Sequence, residues 1–273
     1  MKFYPYLIFI SFIFMSLGGC KKQSAVVGAF LSGNPAASDL AYSAYTKTLP
    51  VPPLLPFTTS ADGTKQFQLQ AQAGSTQFGT SAITGTYGYN GSYLGPTIQV
   101  KQNVNVEFTI KNQLGEATSV HWHGLRIPAS MDGGPHQSIP AGGTWSPQFT
   151  INQPAATLWY HPHQLGQTGA QVYKGLAGFF LVEDTHSASL DLPKIYGVDD
   201  IPVVIQDRRI NVQGEFLYMT HDMEHMGATG DIMLANGAIQ PYFKVTTDKI
   251  RLRLLNGSNA RTYDFGFGGK VSE

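Results

Sequence analysis

The chain of 273 residues balances 18 Lys and Arg against 18 Asp and Glu, and only 13% of its residues are charged. This gives no electrostatic reason to expect nucleic acid or an acidic membrane surface as partner. Cys20 is the sole cysteine, which excludes a disulfide framework, a Cys-ligated zinc site and a thiolate copper site built from this polypeptide alone. Thirty glycines, sixteen prolines and many Val, Ile, Thr, Tyr and Phe favour strands joined by turns, and the length suits one large or two modest domains.

In chain order, the first element is an apolar run over residues 3–17 behind Lys2, ending in Leu17-Gly18-Gly19-Cys20. The run is short for a membrane-spanning helix and has the layout of an export signal. Small residues directly before a cysteine resemble the bacterial lipobox. Residues 1–19 are therefore expected to be a lipoprotein signal peptide, with Cys20 as the lipid attachment site. Residues 20–49, rich in Ser, Ala and Gly up to about Asp39, read as a flexible tether.

Beyond the tether the pattern is all-β. Across 98–110, Val104, Val106, Phe108 and Ile110 fall on one face of an alternating segment. Thr118–Ile127 sets Val120 and Trp122 opposite His121 and His123, so that one face packs and the other binds. Residues 145–151, 156–161 and 176–183 are further strand candidates. Asp132-Gly133-Gly134-Pro135 and Pro140-Ala141-Gly142-Gly143 between them read as turns, since glycine reaches positive φ without steric cost. Short, evenly spaced strands of this kind predict a Greek-key β-sandwich over about Pro56 to Asp184, within a first domain of 50–190. Residues 191–273 read as part of a second domain, with strands at Ile201–Gln206 and Ile250–Leu255 and a hairpin at Ile232–Ile239 around Asn236-Gly237. No stretch carries a sustained helical period, and about seventy residues from position 200 onward are fewer than a sandwich generally needs.

Two histidine pairs carry the chemistry, His121-Trp122-His123 and His161-Pro162-His163. Side chains at i and i+2 of a strand share a face, so each pair presents two imidazoles side by side. Eight histidines scattered over this length give about 0.2 such pairs by chance, counted against the template. Neutral imidazole is the favoured ligand of copper, zinc and iron, and two converging pairs offer four nitrogens. Met219, His221, Met223, His225 and Met226 form a separate cluster that reads either as a Cu(I) docking site or as a polar loop with methionine filling gaps. His136 and His186 read as surface residues, and Arg208, Arg209, Arg251 and Arg253 as charges on strand surfaces.

His121-Trp122-His123-Gly124-Leu125, Asp132-Gly133-Gly134-Pro135, Gln153-Pro154-Ala155-Ala156-Thr157, Tyr160-His161-Pro162-His163-Gln164, Gly175-Leu176-Ala177-Gly178 and Leu254-Leu255-Asn256-Gly257 stand in the order and spacing of bacterial multicopper oxidases. The chain resembles that family over about Pro50 to Phe265, most of all the periplasmic cuprous oxidases of copper efflux. The resemblance implies cupredoxin-like domains, usually three, with a trinuclear copper cluster between the first and third. It also implies oxidation of Cu(I) or phenol-like donors coupled to reduction of dioxygen to water. By the same resemblance His121 is a type 2 copper ligand, and His123, His161 and His163 bind the type 3 pair. Asp132, which also reads as an ordinary turn aspartate, would assist proton delivery near the type 2 copper.

The sequence departs from the family in several places. The third-domain blocks H-x-x-H-x-H and H-C-H do not occur here, so half the cluster ligands and the blue-copper site are missing. Leu165 stands near a position where relatives often carry another histidine. The start has no Arg-Arg pair, which predicts general secretory export and copper uptake afterwards. The expected protein is the amino-terminal part of a multicopper oxidase serving copper tolerance. It would be lipid-anchored in the cell envelope facing the periplasm, with the outer membrane favoured, and would depend on a further C-terminal polypeptide. The alternatives are a non-catalytic envelope copper-binding module, a structural cupredoxin protein of the cell-division-suppressor type, and a prematurely terminated product. Unpaired strand edges in an incomplete second sandwich predict self-association.

Overall fold

The computed structural model of the chain describes residues 7–11, 25–29, 47–79, 82–221 and 227–267. Cys20, most of the signal and tether segments, Met223, His225, Met226 and the terminal 268–273 lie outside the described residues. Two compact units are present, one comprising Pro52–Asp191 with Val212–Phe216, the other the described parts of Met1–Val51, Leu192–Asn211 and Leu217–Glu273.

The first unit is a sandwich of two sheets. Its strands are β1 (Phe57–Thr59), β2 (Lys65–Thr76), β3 (Thr84–Tyr89), β4 (Ile98–Lys101), β5 (Asn105–Gln113), β6 (His121–His123), β7 (Thr144–Trp145), β8 (Gln148–Thr150), β9 (Ala156–His161) and β10 (Gly178–Glu183). One sheet centres on the parallel pair β2–β5, with β1 and β3 antiparallel to β2, and β7 and β8 antiparallel to β5. The other runs β4–β10–β9–β6, again with one parallel pair, β4–β10. A parallel pair in each sheet requires the chain to cross between layers, as Greek-key connectivity does.

Alternation drives this layering. Phe67, Leu69 and Ala71 of β2 and Val106, Phe108 and Ile110 of β5 point inward and are buried, while the residues between them face outward. Trp122, Tyr160, Ile98 and Phe180 close the core from the second sheet. The rings of Phe108 and Trp122 lie 4.4 Å apart and those of Phe67 and Phe108 5.0 Å apart. Burying each such side chain contributes roughly 2–3 kcal/mol, so this aromatic stack is what fixes strand register.

Two short helices, α1 (Thr168–Lys174) and α2 (Thr185–Ser189), interrupt the strands, where the sequence pattern gave no helix. Seven residues with Gln171, Val172 and Tyr173 buried in succession are too few to show a helical period.

The second unit holds a four-stranded sheet, Ala238–Ile239, Ile232–Ala235, Asp200–Arg208 and Arg251–Asn256 in that order. Every residue of Asp200–Arg208 is buried. The hairpin turns on Asn236 and Gly237, both at positive φ (49° and 78°), as a two-residue type I′ turn demands. Asp264–Phe267, Leu7–Ser11, Ala25–Ala29, Pro241–Phe243 and Lys47–Thr48 form a further sheet in that order, and the strand at Asp264–Phe267 was not expected from the sequence. The surface reading of the arginines needs correction for two of the four. Arg253 is buried with its guanidinium in a two-point pair with Asp200 (2.7 and 2.6 Å), and Arg208 is fully buried with Nη1 donating to the Asp207 carbonyl.

Candidate metal centre

The two histidine motifs lie on neighbouring strands. β6 and β9 pair antiparallel with His121 opposite His161, Trp122 opposite Tyr160 and His123 opposite Trp159. Trp122 and Tyr160 both go into the core without exposure, so the residues flanking them must face the other way. One strand period therefore buries the anchors and projects His121, His123 and His161 from a single face. His163 lies past the end of the ladder, and its ring still sits 5.2 Å from that of His121.

The remaining rings are close as well. His121 lies 5.5 Å from His123 and 5.3 Å from His161, His123 lies 5.3 Å from His161, and His161 lies 6.2 Å from His163. Nitrogen atoms of His121, His123 and His161 all fall within 4.8 Å of one another. His123 Nδ1 and His161 Nε2 are 3.1 Å apart. Two imidazole nitrogens bound to one ion at about 2.0–2.1 Å and separated by that distance subtend roughly 100° at the metal, an ordinary ligand angle. The donor set is all imidazole with no thiolate, which suits copper, zinc or iron.

Hydrogen bonds orient the rings. His121 Nδ1 lies 2.9 Å from the Asp132 carbonyl oxygen and 3.3 Å from its carboxylate. His161 Nδ1 lies 2.7 Å from the Pro162 carbonyl. A proton on each Nδ1 donates to these oxygens and leaves Nε2 as the metal-facing lone pair. The His163 backbone N–H donates to Ser119 Oγ at 2.8 Å. Burial, partly offset by the bond to Pro162, depresses the His161 pKa to about 3, so its ring stays neutral and able to bind metal in acid. His123 is also shifted down, first by desolvation and then by His121 and His163. Asp132 is shifted up by burial, against the opposing pull of the nearby imidazoles.

Asp132 reaches this position because of the glycine after it. Gly133 has φ +71°, and a Cβ there would meet the Val120 carbonyl oxygen at 1.7 Å. The loop thus lies flat on the histidine strand, with the Trp122 N–H donating to Asp132 O at 3.3 Å and the Trp122 indole N–H to Met131 O at 3.1 Å.

Two contributors had no role assigned from the sequence. Trp159 stacks on His161 with ring centroids 4.0 Å apart and lies 5.3 Å from His123; its place two residues before His161 was the available signal. Gln153 closes the other end of β6, accepting the Arg126 N–H at 2.8 Å and donating to Gly124 O at 3.3 Å. His136 and His186 are exposed, neither is among the grouped His121, His123 and His161, and Leu165 is 81% exposed. Met219 and His221 are exposed, while the rest of their cluster lies outside the described residues.

A β-sandwich bearing paired histidines on adjacent strands is the framework of a metal-binding protein. A multicopper oxidase family model matches residues 61–187. The multicopper oxidase mco of Staphylococcus epidermidis is 44% identical over 200 residues, covering 73% of this chain and 44% of that protein. The cell division protein FtsP of Photorhabdus laumondii is 42% identical over 220 residues, 81% of this chain and 45% of its own length. Among solved structures, a laccase from Pediococcus acidilactici superposes with a TM-score of 0.73 at 40% identity, covering 78% of this chain and 48% of the laccase. Over its sandwich unit this chain matches the multicopper oxidase family. It spans about half the length of the relatives it matches.

Proposed function

We propose that this chain supplies the amino-terminal, copper-holding part of an oxidase that couples one-electron oxidation of Cu(I) or small phenolic donors to reduction of dioxygen to water, in the service of copper tolerance. The convergence of four imidazoles, three on one sheet face and His163 just past the end of its ladder, carries this reading. In it, His121 takes the type 2 role, and His123, His161 and His163 serve the type 3 pair. Copper, when bound, supplies the one-electron chemistry that links donor to dioxygen. The chain's own residues hold and orient. Asp132 and Pro162 fix the tautomers of His121 and His161, and the core anchors Trp122 and Tyr160 keep the donors in place before any ion arrives. Asp132, with its raised proton affinity beside His121, is suited to hold a proton for delivery toward the centre.

The blue-copper site and the remaining cluster ligands would come from a further polypeptide region, since the sequence offers no cysteine but Cys20. Residues 50–190 and 191–273 would then be the first and part of the second cupredoxin-like domain. Attachment through Cys20 would hold the protein in the envelope, facing the periplasm, with the outer membrane favoured. Among the described residues no helix is long and apolar enough to cross a membrane. The second reading, a non-catalytic protein of the envelope, draws on the likeness to FtsP; the four histidines favour the oxidase.

Equilibrium dialysis of the purified chain against copper, followed by metal analysis and electron paramagnetic resonance, tests the proposal. Two or more coppers per chain are expected, with the signal lost in His123→Ala and His161→Ala. Recovery of no copper would exclude the reading. Oxygen consumption with a phenolic donor should show no sustained turnover by this chain alone.

A further inference from the structure

His163 is the one member of the centre that the strand ladder does not hold. Pairing between β6 and β9 ends at His121–His161, and Pro162, having no N–H, cannot extend it. His163 is nonetheless brought to 5.2 Å from His121. Its backbone N–H is fixed by Ser119 Oγ at 2.8 Å, and Ser119 is fully buried two residues before His121. The segment carrying Ser119 is held in turn. Gln171 Nε2 donates to Ala117 O at 2.8 Å, and Thr118 Oγ1 donates to Gln171 Oε1 at 2.8 Å. The Thr118 backbone also exchanges two hydrogen bonds with Ile139, at 3.0 and 2.7 Å.

Gln171 is fully buried and sits on α1, eight residues after His163. Its amide therefore fixes both the strand entering the first histidine motif and the helix leaving the second. The result is a closed belt, running from His163 to Ser119, along 117–119 to Gln171, and back through α1 to His163. It clamps the two motifs just beyond the end of the ladder, where the register of His121 with His161 would continue to Ser119 and His163. The side-chain groups of Ser119, Thr118 and Gln171 in it are all hydrogen-bonded, as burial requires.

We propose that Ser119, braced by Gln171, is a positioning residue that places His163 before metal arrives and thereby governs filling of the His121–His163 side of the centre. The His123–His161 pair is set by the strand ladder instead and does not depend on it. The inference rests on the reading that these histidines bind copper.

The test uses the full chain as wild type, Ser119→Ala, Ser119→Thr and Gln171→Met. Hydrogen exchange at the His163 amide in the metal-free protein reads the clamp itself, and copper titration followed by electron paramagnetic resonance reads its consequence. Ser119→Ala should speed His163 exchange at least tenfold. It should also weaken the more loosely held copper by about 10–100-fold, the usual cost of losing a supporting contact, while the first copper binds within twofold of wild type. Ser119→Thr, which keeps the hydroxyl, should restore both readouts, and Gln171→Met should affect the same copper as Ser119→Ala. Unchanged exchange with superimposable titrations would overturn the proposal, as would equal weakening of both coppers with loss of folded signal. If the wild type binds no copper, the copper reading fails, and the exchange result by itself decides whether Ser119 holds His163.

Discussion

Substituting Gly133 by alanine tests whether the loop carrying Asp132 is part of the metal centre or an incidental turn beside it. A Cβ at Gly133 would meet the Val120 carbonyl oxygen at 1.7 Å, and backbone on both sides is held by hydrogen bonds. Real Cβ atoms essentially never come nearer than 3.0 Å to such an atom, so the loop must lift by more than an ångström. That movement breaks the Trp122 N–H bond to Asp132 O and the contact of His121 Nδ1 with the same oxygen. Each lost bond costs about 1 kcal/mol, and the left-handed conformation at φ +71° adds about 1–2 kcal/mol for a residue with a side chain. The expected destabilisation is therefore about 3–4 kcal/mol by urea unfolding. His121, having lost the acceptor that sets its tautomer, should bind copper about 10–100-fold more weakly. Gly134→Ala is the control. Its Cβ would meet nothing closer than Gln137 Oε1 at 3.6 Å, and both readouts should stay near wild type. If Gly133→Ala matched Gly134→Ala in stability and copper affinity, the steric argument and the role assigned to the loop would both fail.

Metal-free stability should fall as pH drops from about 6.5 toward 3. His161 is buried neutral with its pKa depressed to about 3, so below 6.5 the unfolded chain binds a proton that the folded one does not, at a cost approaching 1.4 kcal/mol per pH unit. His123 acts in the same direction. Asp132, with its pKa raised, acts oppositely, gaining stability as pH falls through the range just above 3.8. Urea midpoints in chelator at pH 7, 6, 5 and 4 check the sign, and His161→Gln should flatten the slope. In the second unit, Arg253→Met should cost about 3–5 kcal/mol by leaving Asp200 buried and unpaired, whereas Asp200→Leu combined with Arg253→Met should recover most of it. A double variant no more stable than the single one by chemical denaturation would refute that account.

What could be read in advance was whatever repeats locally. Val106, Phe108 and Ile110 announce an inward face by alternation, Asn236-Gly237 announces a turn by backbone chemistry, and His121 and His123 share a face because Trp122 between them is apolar. The pairing of His121 with His161 was legible only through resemblance, since no local pattern states which strands become neighbours. Arg208 and Arg253 looked like surface charges because burial of an arginine depends on a partner elsewhere; Asp200 lies on a different strand from Arg253, and nothing near either marks the pair. Ser119 and Gln171 were invisible for the same reason. Their side chains act on backbone groups about forty-four and fifty-four residues away, and a lone buried Ser or Gln has no signature of its own.

The placement of Trp122 bears on how the centre relates to folding. The aromatic core that buries Trp122 and Tyr160 consists of apolar side chains remote in chemistry from the donors, and the ladder between β6 and β9 presents the histidines as a consequence of strand alternation. A metal site of this kind differs from a zinc finger, in which the ion supplies the folding free energy and its removal unfolds the chain. Here the donors sit near bonding distance while three supports of different origin hold them: the ladder, the Asp132 loop and the Ser119 contact. The ladder holds His121, His123 and His161, the loop orients the His121 ring, and the Ser119 contact fixes the His163 backbone. On the proposed reading, copper binding would spend little free energy on ordering the protein, and its main local cost would be breaking the contact between His123 Nδ1 and His161 Nε2, which are 3.1 Å apart. A tautomer shift would be the physical mark of that exchange, the proton moving from Nδ1 to Nε2 of His123, because His161, bonded through Nδ1 to Pro162, only accepts.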